Sequence, residues 1–192
     1  AAPLAPGFAS GTVAAGRLYL WVPPLLPPLG GEPTFLEYDP AADAWTRLEP
    51  PPAGDPGGLT LSAADGRVVA AVRSHESGLG PDLVYDPGTG AWSELPPDPV
   101  ARAFDRTIVW TDAGLVVTGI PLVRHREAAD PPFYAAARLA DVDGVWERLP
   151  DSEVVGWSPT WWWSGGRVVN PSLGASDGGT VNAWERPYPH GG

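Results

Sequence analysis

Three histidines and a group of arginines are the residues of this chain whose types and positions could do chemistry. His75, His125 and His190 each follow the second predicted strand of a repeating unit. Alternate connections of an up-and-down meander emerge at the same end of the sheet, so these loops should share one face of the molecule. The predicted ligand-binding residues on that face are Arg73, His75, Arg102, Arg124, His125, Arg126 and His190.

The chemistry expected of this loop face is recognition of an anion. The planar guanidinium of arginine binds a carboxylate or sulfate through two parallel hydrogen bonds. The alternative interpretation is ordinary solvated loops, because loops carry most polar residues of a domain. No catalytic residue is assigned from the sequence, although a pair of carboxylates acting on a glycoside stays open.

Metal and cofactor chemistry is not expected. Zinc needs three or four ligands that converge, and the three histidines are far apart in the chain. The absence of cysteine excludes disulfides and thiolate chemistry. We therefore predict no metal and no cofactor.

The elements that must position these loops are indicated by a phrase that recurs three times. Each copy has an aspartate, then a tryptophan, then a leucine and a proline close behind it. The tryptophans of the three copies, Trp45, Trp92 and Trp146, are 47 and 54 residues apart. A period near 50 residues made of short strands is typical of a β-propeller with one four-stranded sheet per repeat.

A second phrase recurs about half a period away from the first. It is a glycine followed by an apolar run, and its glycines are Gly16, Gly66, Gly114 and Gly166. Glycine supplies the positive φ of a tight hairpin turn. The apolar run lacks polar alternation, so it predicts a strand buried on both faces.

These two phrases make the chain resemble bacterial Kelch-like propellers over nearly its whole length. Tyr38-Asp39-Pro40 and Tyr85-Asp86-Pro87 are similar to the third-strand ending of that family, and the three tryptophans to its fourth strand. The double glycine of the family's second strand is mostly missing, with Thr118-Gly119 as a remnant. The resemblance implies an all-β fold, a β-propeller of Kelch-like four-stranded antiparallel blades.

About three and a half blades are expected in this chain, as a single partial propeller over 1–192. Blade one spans 1–50, blade two 51–97, blade three 98–151, and the inner half of blade four 152–192. Strands of the fourth blade are expected only near 157–163 and 167–171. Prolines between blades suit these joints because proline cannot donate to a strand ladder.

The three tryptophans are predicted to be structural anchors, not ligand contacts. Trp45, Trp92 and Trp146 should each cover the outer edge of a blade against the next one. A partial ring would leave apolar sheet faces open, and terminal repeats need capping. The expected partners are therefore the remaining propeller blades, from another polypeptide or a missing part of the same chain.

Composition limits the other partners. The net charge of −11 argues against nucleic acid, because binding phosphates needs a basic surface. No apolar run reaches membrane-spanning length. The Ala1-Ala2-Pro3 start resembles the end left by signal cleavage, so an exported protein is expected, extracellular or in the cell envelope. A cytoplasmic location is the alternative, because the absence of cysteine fits both compartments.

The function expected from the sequence is a non-enzymatic scaffold that recognises a protein or a glycan. One alternative is a sugar-modifying enzyme, an epimerase, lyase or hydrolase, with an Arg/His/Glu site on the loop face. Another is a structural component of a larger assembly. Propellers carry many unrelated activities, so the fold does not choose among these.

Overall fold

The computed structural model describes residues 9–24, 31–52, 58–74, 80–100, 102–121, 133–155, 162–164, 166–170 and 182–185. Those ranges contain β-strands and connections and no α-helix. All strand pairs are antiparallel, and within each sheet the strands pair in the order in which they follow along the chain. The all-β, four-stranded antiparallel part of the predicted fold is therefore confirmed.

The strands form four sheets in chain order. Sheet one contains β1 (Ser10–Ala14), β2 (Arg17–Val22), β3 (Thr34–Asp39) and β4 (Ala44–Leu48). Sheet two contains β5 (Leu59–Ala64), β6 (Arg67–Val72), β7 (Leu83–Asp86) and β8 (Ala91–Glu94). Sheet three contains β9 (Ala103–Thr111), β10 (Gly114–Pro121), β11 (Phe133–Leu139) and β12 (Trp146–Val155). Sheet four contains β13 (Trp162–Ser164), β14 (Arg167–Asn170) and β15 (Asn182–Glu185).

The glycine phrase forms the turn between the first two strands of each sheet. In sheet two, Asp65 and Gly66 have φ angles of 48° and 75°, which is the pair of left-handed residues that a two-residue hairpin favours. Sheet three differs by one position, because Gly114 is already the first residue of β10. There the side chain of Thr111 donates a hydrogen bond of 2.8 Å to the Gly114 carbonyl and helps to close the turn.

The fourth sheet differs from its sequence prediction. The sequence placed two strands in this region and a long loop over 172–192, yet β15 pairs with β14 along its whole length, from Arg167 opposite Glu185 to Asn170 opposite Asn182. A four-residue strand gives too short a pattern to be distinguished from a loop by alternation alone. Strand β12 is also longer than expected and continues past Pro150 to Val155.

Apolar clusters fill the space between successive sheets. Between sheets one and two, Tyr19 and Phe35 pack with Val68 and Tyr85. Between sheets two and three, a second cluster includes Val69, Val84, Leu115 and Leu139. Between sheets three and four, the described core consists of Ile120, Tyr134 and Val168.

The first strands of the four sheets lie next to one another in series. Strand β1 contacts β5, β5 contacts β9, and β9 contacts β13. The sheets therefore follow one another along the chain with their first strands on one side. This arrangement determines which loops meet at each joint.

Candidate functional site

The joint between sheets two and three brings the end of β6 beside the start of β9. The carbonyl of Arg73 accepts a 2.8 Å hydrogen bond from the backbone N–H of Arg106. The N–H of Arg73 in turn donates to the carbonyl of Gly58 at 2.6 Å. Arg73 and Arg102, which flank this joint, are both exposed residues. An exposed arginine is therefore present on each side of one inter-sheet link.

The other five residues of the predicted ligand-binding face lie outside the described residues: His75, Arg124, His125, Arg126 and His190. The same holds for Ser176, which stands in a Gly-x-Ser-x-Gly spacing at 174–178. That spacing marks a nucleophile only between a strand and a helix, so it assigns no role by itself. The predicted loop-face site stays a prediction, with Arg73 and Arg102 as its described members.

Arg106 is not part of an open face, because it is buried within the joint. Its guanidinium donates to both carboxylate oxygens of Asp82, at 3.0 and 2.7 Å. It also donates to Asp98 at 2.6 Å and to the carbonyl of Val72 at 2.6 Å. The residue is only 1% exposed, and its two terminal nitrogens make these contacts in place of water.

The electrostatics of this cluster keep the arginine charged. Burial opposes the charged guanidinium, but the hydrogen bond and negative charge of Asp82, followed by those of Asp98, raise the pKa of Arg106 above its ordinary value. Asp82 also accepts the backbone N–H of Val72 at 2.9 Å, and its own carbonyl accepts from Leu95. The cluster therefore ties β6, the segment before β7 and the inter-sheet joint to β9.

A signal for this buried pair is present in the sequence. Arg106 begins the run Arg106-Thr107-Ile108-Val109, and an arginine in an apolar strand requires a buried partner. The sequence does not show which carboxylates supply it. Asp82 and Asp98 come from two other segments and can be assigned only from the packing.

A second buried polar group lies between sheets one and two. The hydroxyl of Tyr19 donates to Glu37 at 2.9 Å, and Arg17 pairs with both Glu37 and Asp39. Burial, and then the hydrogen bond to Glu37, raise the pKa of the Tyr19 phenol above its usual range. The cluster is a satisfied network at the edge of an aromatic core that includes Phe35 and Tyr85.

Two of the recurring tryptophans connect their own sheet with the one before it. The indole N–H of Trp92 donates to the carbonyl of Glu49 at 3.1 Å, and that of Trp146 donates to the carbonyl of Pro96 at 2.7 Å. Both tryptophans therefore contact the preceding sheet, whereas the sequence predicts a contact with the next sheet. The Trp92 ring also lies 5.1 Å from those of Phe35 and Tyr85, measured between centroids.

In the described part of the chain, no group of three or more His, Cys, Asp or Glu side chains could hold a metal ion. In the same ranges, no helix has the length and apolar character of a membrane span. The Arg106 cluster joins sheet two to sheet three, and the Tyr19 cluster joins β2 to β3 within sheet one.

The class defined by these observations is an all-β protein of successive antiparallel sheets, three with four strands and one with three described strands. No family model matches the chain, and no curated protein matches it. Seventy chains of solved structures match it.

One similar solved structure is titled "Structure of YjhT". The two share 16% sequence identity with a TM-score of 0.57, and the match covers 84% of this chain. It covers 57% of that chain, so this chain spans less than two thirds of the length of the protein it matches. At this identity the likeness concerns the fold alone.

Proposed function

We propose that this chain is part of a Kelch-like β-propeller that acts as a recognition scaffold for a protein or glycan. The observation that carries the proposal is the serial contact of the first strands, β1 with β5, β5 with β9 and β9 with β13. Sheets that meet along their innermost strands are the building plan of a propeller. The remaining blades, supplied by further polypeptide, are the partners that this reading requires.

The ligand site belongs at the loop end that contains Arg73 and Arg102. Both are exposed and flank one joint, and the Arg73 carbonyl is fixed by the backbone of β9. Arginine on a held loop is suited to a carboxylate or sulfate group of a glycan or an acidic protein segment. Arg106 is excluded from ligand binding, since Asp82 and Asp98 occupy its guanidinium.

Isothermal titration against three oligosaccharide classes tests this function: uronic-acid-containing, sulfated and neutral. We expect an acidic class to bind, and the double variant Arg73→Ala, Arg102→Ala to weaken that binding at least tenfold. Arg47→Ala is the matched control, because Arg47 is an exposed arginine on β4. If the double variant and the control bind the oligosaccharide with equal affinity, Arg73 and Arg102 do not form the ligand site.

The same samples distinguish the scaffold from the alternative function, a sugar-modifying epimerase, lyase or hydrolase. Chromatography of each oligosaccharide after prolonged incubation reveals any altered or cleaved product. A scaffold leaves every sugar unchanged. Turnover that depends on Arg73 or Arg102 would replace the scaffold proposal with the enzyme.

A further inference from the structure

The two exposed arginines of the proposed ligand site belong to separate chain segments that meet at the joint between sheets two and three. Arg73 comes directly after β6, and Arg102 directly before β9. Two arginines bind one acidic ligand well only when both are already in place before the ligand arrives. The groups that hold these two segments therefore bear on how the site binds.

The main chain at Arg73 is held from other segments. Its N–H donates to the carbonyl of Gly58 at 2.6 Å, and its carbonyl accepts the backbone N–H of Arg106 at 2.8 Å. The preceding residue, Val72, donates its N–H to Asp82 at 2.9 Å and accepts the guanidinium of Arg106 at 2.6 Å. Four consecutive main-chain groups thus have partners, and Arg106 supplies two of them.

Asp98 holds the segment that leads to Arg102. One oxygen of its carboxylate accepts the guanidinium of Arg106 at 2.6 Å, and the other accepts the backbone N–H of Val100 at 2.6 Å. The Asp98 side chain is 6% exposed, and Val100 is buried. A carboxylate can accept from two donors in this way because both of its oxygens are acceptors. The guanidinium that holds Val72 therefore also holds the turn before Arg102.

The backbone of Arg102 has a left-handed conformation, with a φ of 63°. Of the described non-glycine residues with a positive φ, Ala15, Asp43 and Asp65 lie in turns between paired strands, where this conformation is common. Arg102 and Asp105 lie at the joint instead. Strain of this kind persists only where the surroundings impose it, and it is frequent at ligand clamps.

A bulge in β9 directs Arg106 into the joint. Asp105 and Arg106 together stand opposite Gly119 of β10, where the register of the two strands shifts. The extra residue lets Ala103 and Arg106 face the same side, although residues three apart in a regular strand face opposite sides. A Cβ at Gly119 would lie 2.8 Å from both Ala103 Cβ and Arg106 Cγ, so this glycine leaves room for the arginine stem. Bulges that reorient one side chain are frequent beside functional sites.

We propose, on the basis of the ligand site proposed above, that Arg106 and Asp98 are positioning residues that hold Arg73 and Arg102 at a fixed spacing for an acidic ligand. Both side chains are buried, so they act through the main chain of the segments they hold and not by contact with the ligand. They strengthen binding because two arginines that are already held lose less freedom when the ligand binds.

Asp98→Asn is the direct test, since it keeps the shape of the side chain and replaces one acceptor oxygen with a donor. The one remaining oxygen can hold either Val100 or Arg106. The segment before Arg102 should therefore loosen, whereas Arg73 keeps its own hydrogen bonds. Backbone ¹⁵N relaxation should give an order parameter of about 0.85 at both exposed arginines in the wild type, and a clearly lower value only at Arg102 in the variant.

Arg106→Lys is a second variant with a different expected pattern. Lysine keeps the charge but offers one ammonium in place of a planar fork, so the order parameters of both Arg73 and Arg102 should fall. Tyr19→Phe is the matched control, because it also removes one polar atom from a buried carboxylate cluster, in sheet one. It should leave both order parameters unchanged.

Isothermal titration with the uronic-acid-containing and sulfated oligosaccharides measures the effect on binding. Asp98→Asn should weaken the binding about two- to tenfold, the effect of one side chain that must be ordered on binding. Tyr19→Phe should bind like the wild type. Urea unfolding of each variant verifies that it is fully folded at the temperature of the titration.

An unchanged order parameter at Arg102 in Asp98→Asn overturns the proposal, and so does a loosened Arg102 with wild-type affinity. If neither acidic class binds the wild type, the proposed function is rejected. Loosening of Arg102 in Asp98→Asn would even then support Asp98 as the residue that positions this segment.

Discussion

At the scale of single residues, the fold depends on charged side chains that are paired inside the protein. Arg106 is the main example, because it joins carboxylates from two segments with the carbonyl of a third. A buried ion pair costs desolvation when it forms, and its loss leaves uncompensated charge behind. The joint between sheets two and three should therefore be sensitive to any change that removes one partner.

Replacing Arg106 with methionine should destabilise the protein by about 3–5 kcal/mol, the usual effect of breaking a buried pair. Asp82 and Asp98 would be left as neighbouring buried acids. Urea unfolding measures the loss, and Arg47→Met, which changes an exposed arginine, should stay within about 0.5 kcal/mol of wild type. Equal midpoints for the two variants would show that the cluster is not part of the structural joint.

Tyr19 should make stability depend on alkaline pH. Its folded pKa is raised by burial and by Glu37, so the unfolded chain ionises first, near a pH of about 10. Above that pH the unfolded state binds fewer protons than the folded state, and stability falls as pH rises. Between about pH 9 and 12, the free energy of unfolding should decrease less steeply with pH in Tyr19→Phe than in the wild type, as urea unfolding at each pH would measure. The same pH dependence in both proteins would contradict this.

Trp92→Ala should cost about 3–5 kcal/mol, the range for truncating a large core side chain. The indole packs against Phe35 and Tyr85 and bonds to the carbonyl of Glu49. Trp92→Phe separates the two contributions, with an expected loss of about 0.5–1.5 kcal/mol from the hydrogen bond. Thermal melting measures both, and a Trp92→Ala protein that melts like wild type would exclude Trp92 as an anchor between sheets.

At the scale of elements, the turns between first and second strands differ in how much space they leave. Gly66 has a positive φ, and a Cβ there would meet nothing within 4 Å. At Gly114 a Cβ would collide with the carbonyl oxygen of Leu139, in the neighbouring strand. Both positions have a positive φ, of 75° and 114°, and Gly114 also has no room for a side chain.

Alanine substitutions distinguish the effect of the positive φ from the effect of the missing room. Gly66→Ala should cost about 1–2 kcal/mol from the left-handed backbone alone. Gly114→Ala should cost clearly more, because β10 and β11 must also separate. Urea unfolding of the pair measures the difference, and a Gly114→Ala protein as stable as Gly66→Ala would show that β11 moves aside freely.

The strands that could be predicted are those whose signals are local. The glycine turn and the tryptophan phrase lie within a few residues of the strands they mark, and sheets one to three follow them closely. The burial of Arg106 could not be predicted in the same way, because it depends on Asp82, 24 residues away in the chain. Of the predicted ligand-binding residues, the described part of the structure places only Arg73 and Arg102.

At the scale of the whole molecule, the proposed propeller requires a particular arrangement of the sheets around their first strands. Contacts of β1 with β5, β5 with β9 and β9 with β13 place these strands on one side. A propeller requires the fourth strands to spread apart from one another on the other side. Flat layers would instead keep a constant spacing of about 10 Å along the whole width of the sheets.

Two pairs of spin labels measure this spreading directly, because the chain contains no native cysteine to interfere. One pair, Ala15→Cys with Asp112→Cys, reports the distance between the inner turns of sheets one and three. The other pair, Ala42→Cys with Asp143→Cys, reports the distance between the outer turns of the same two sheets. All four positions are exposed. Dilution with unlabelled protein removes distances between copies. A propeller predicts a clearly longer distance for the outer pair than for the inner pair. Equal distances near about 20 Å, two sheet spacings, would contradict it.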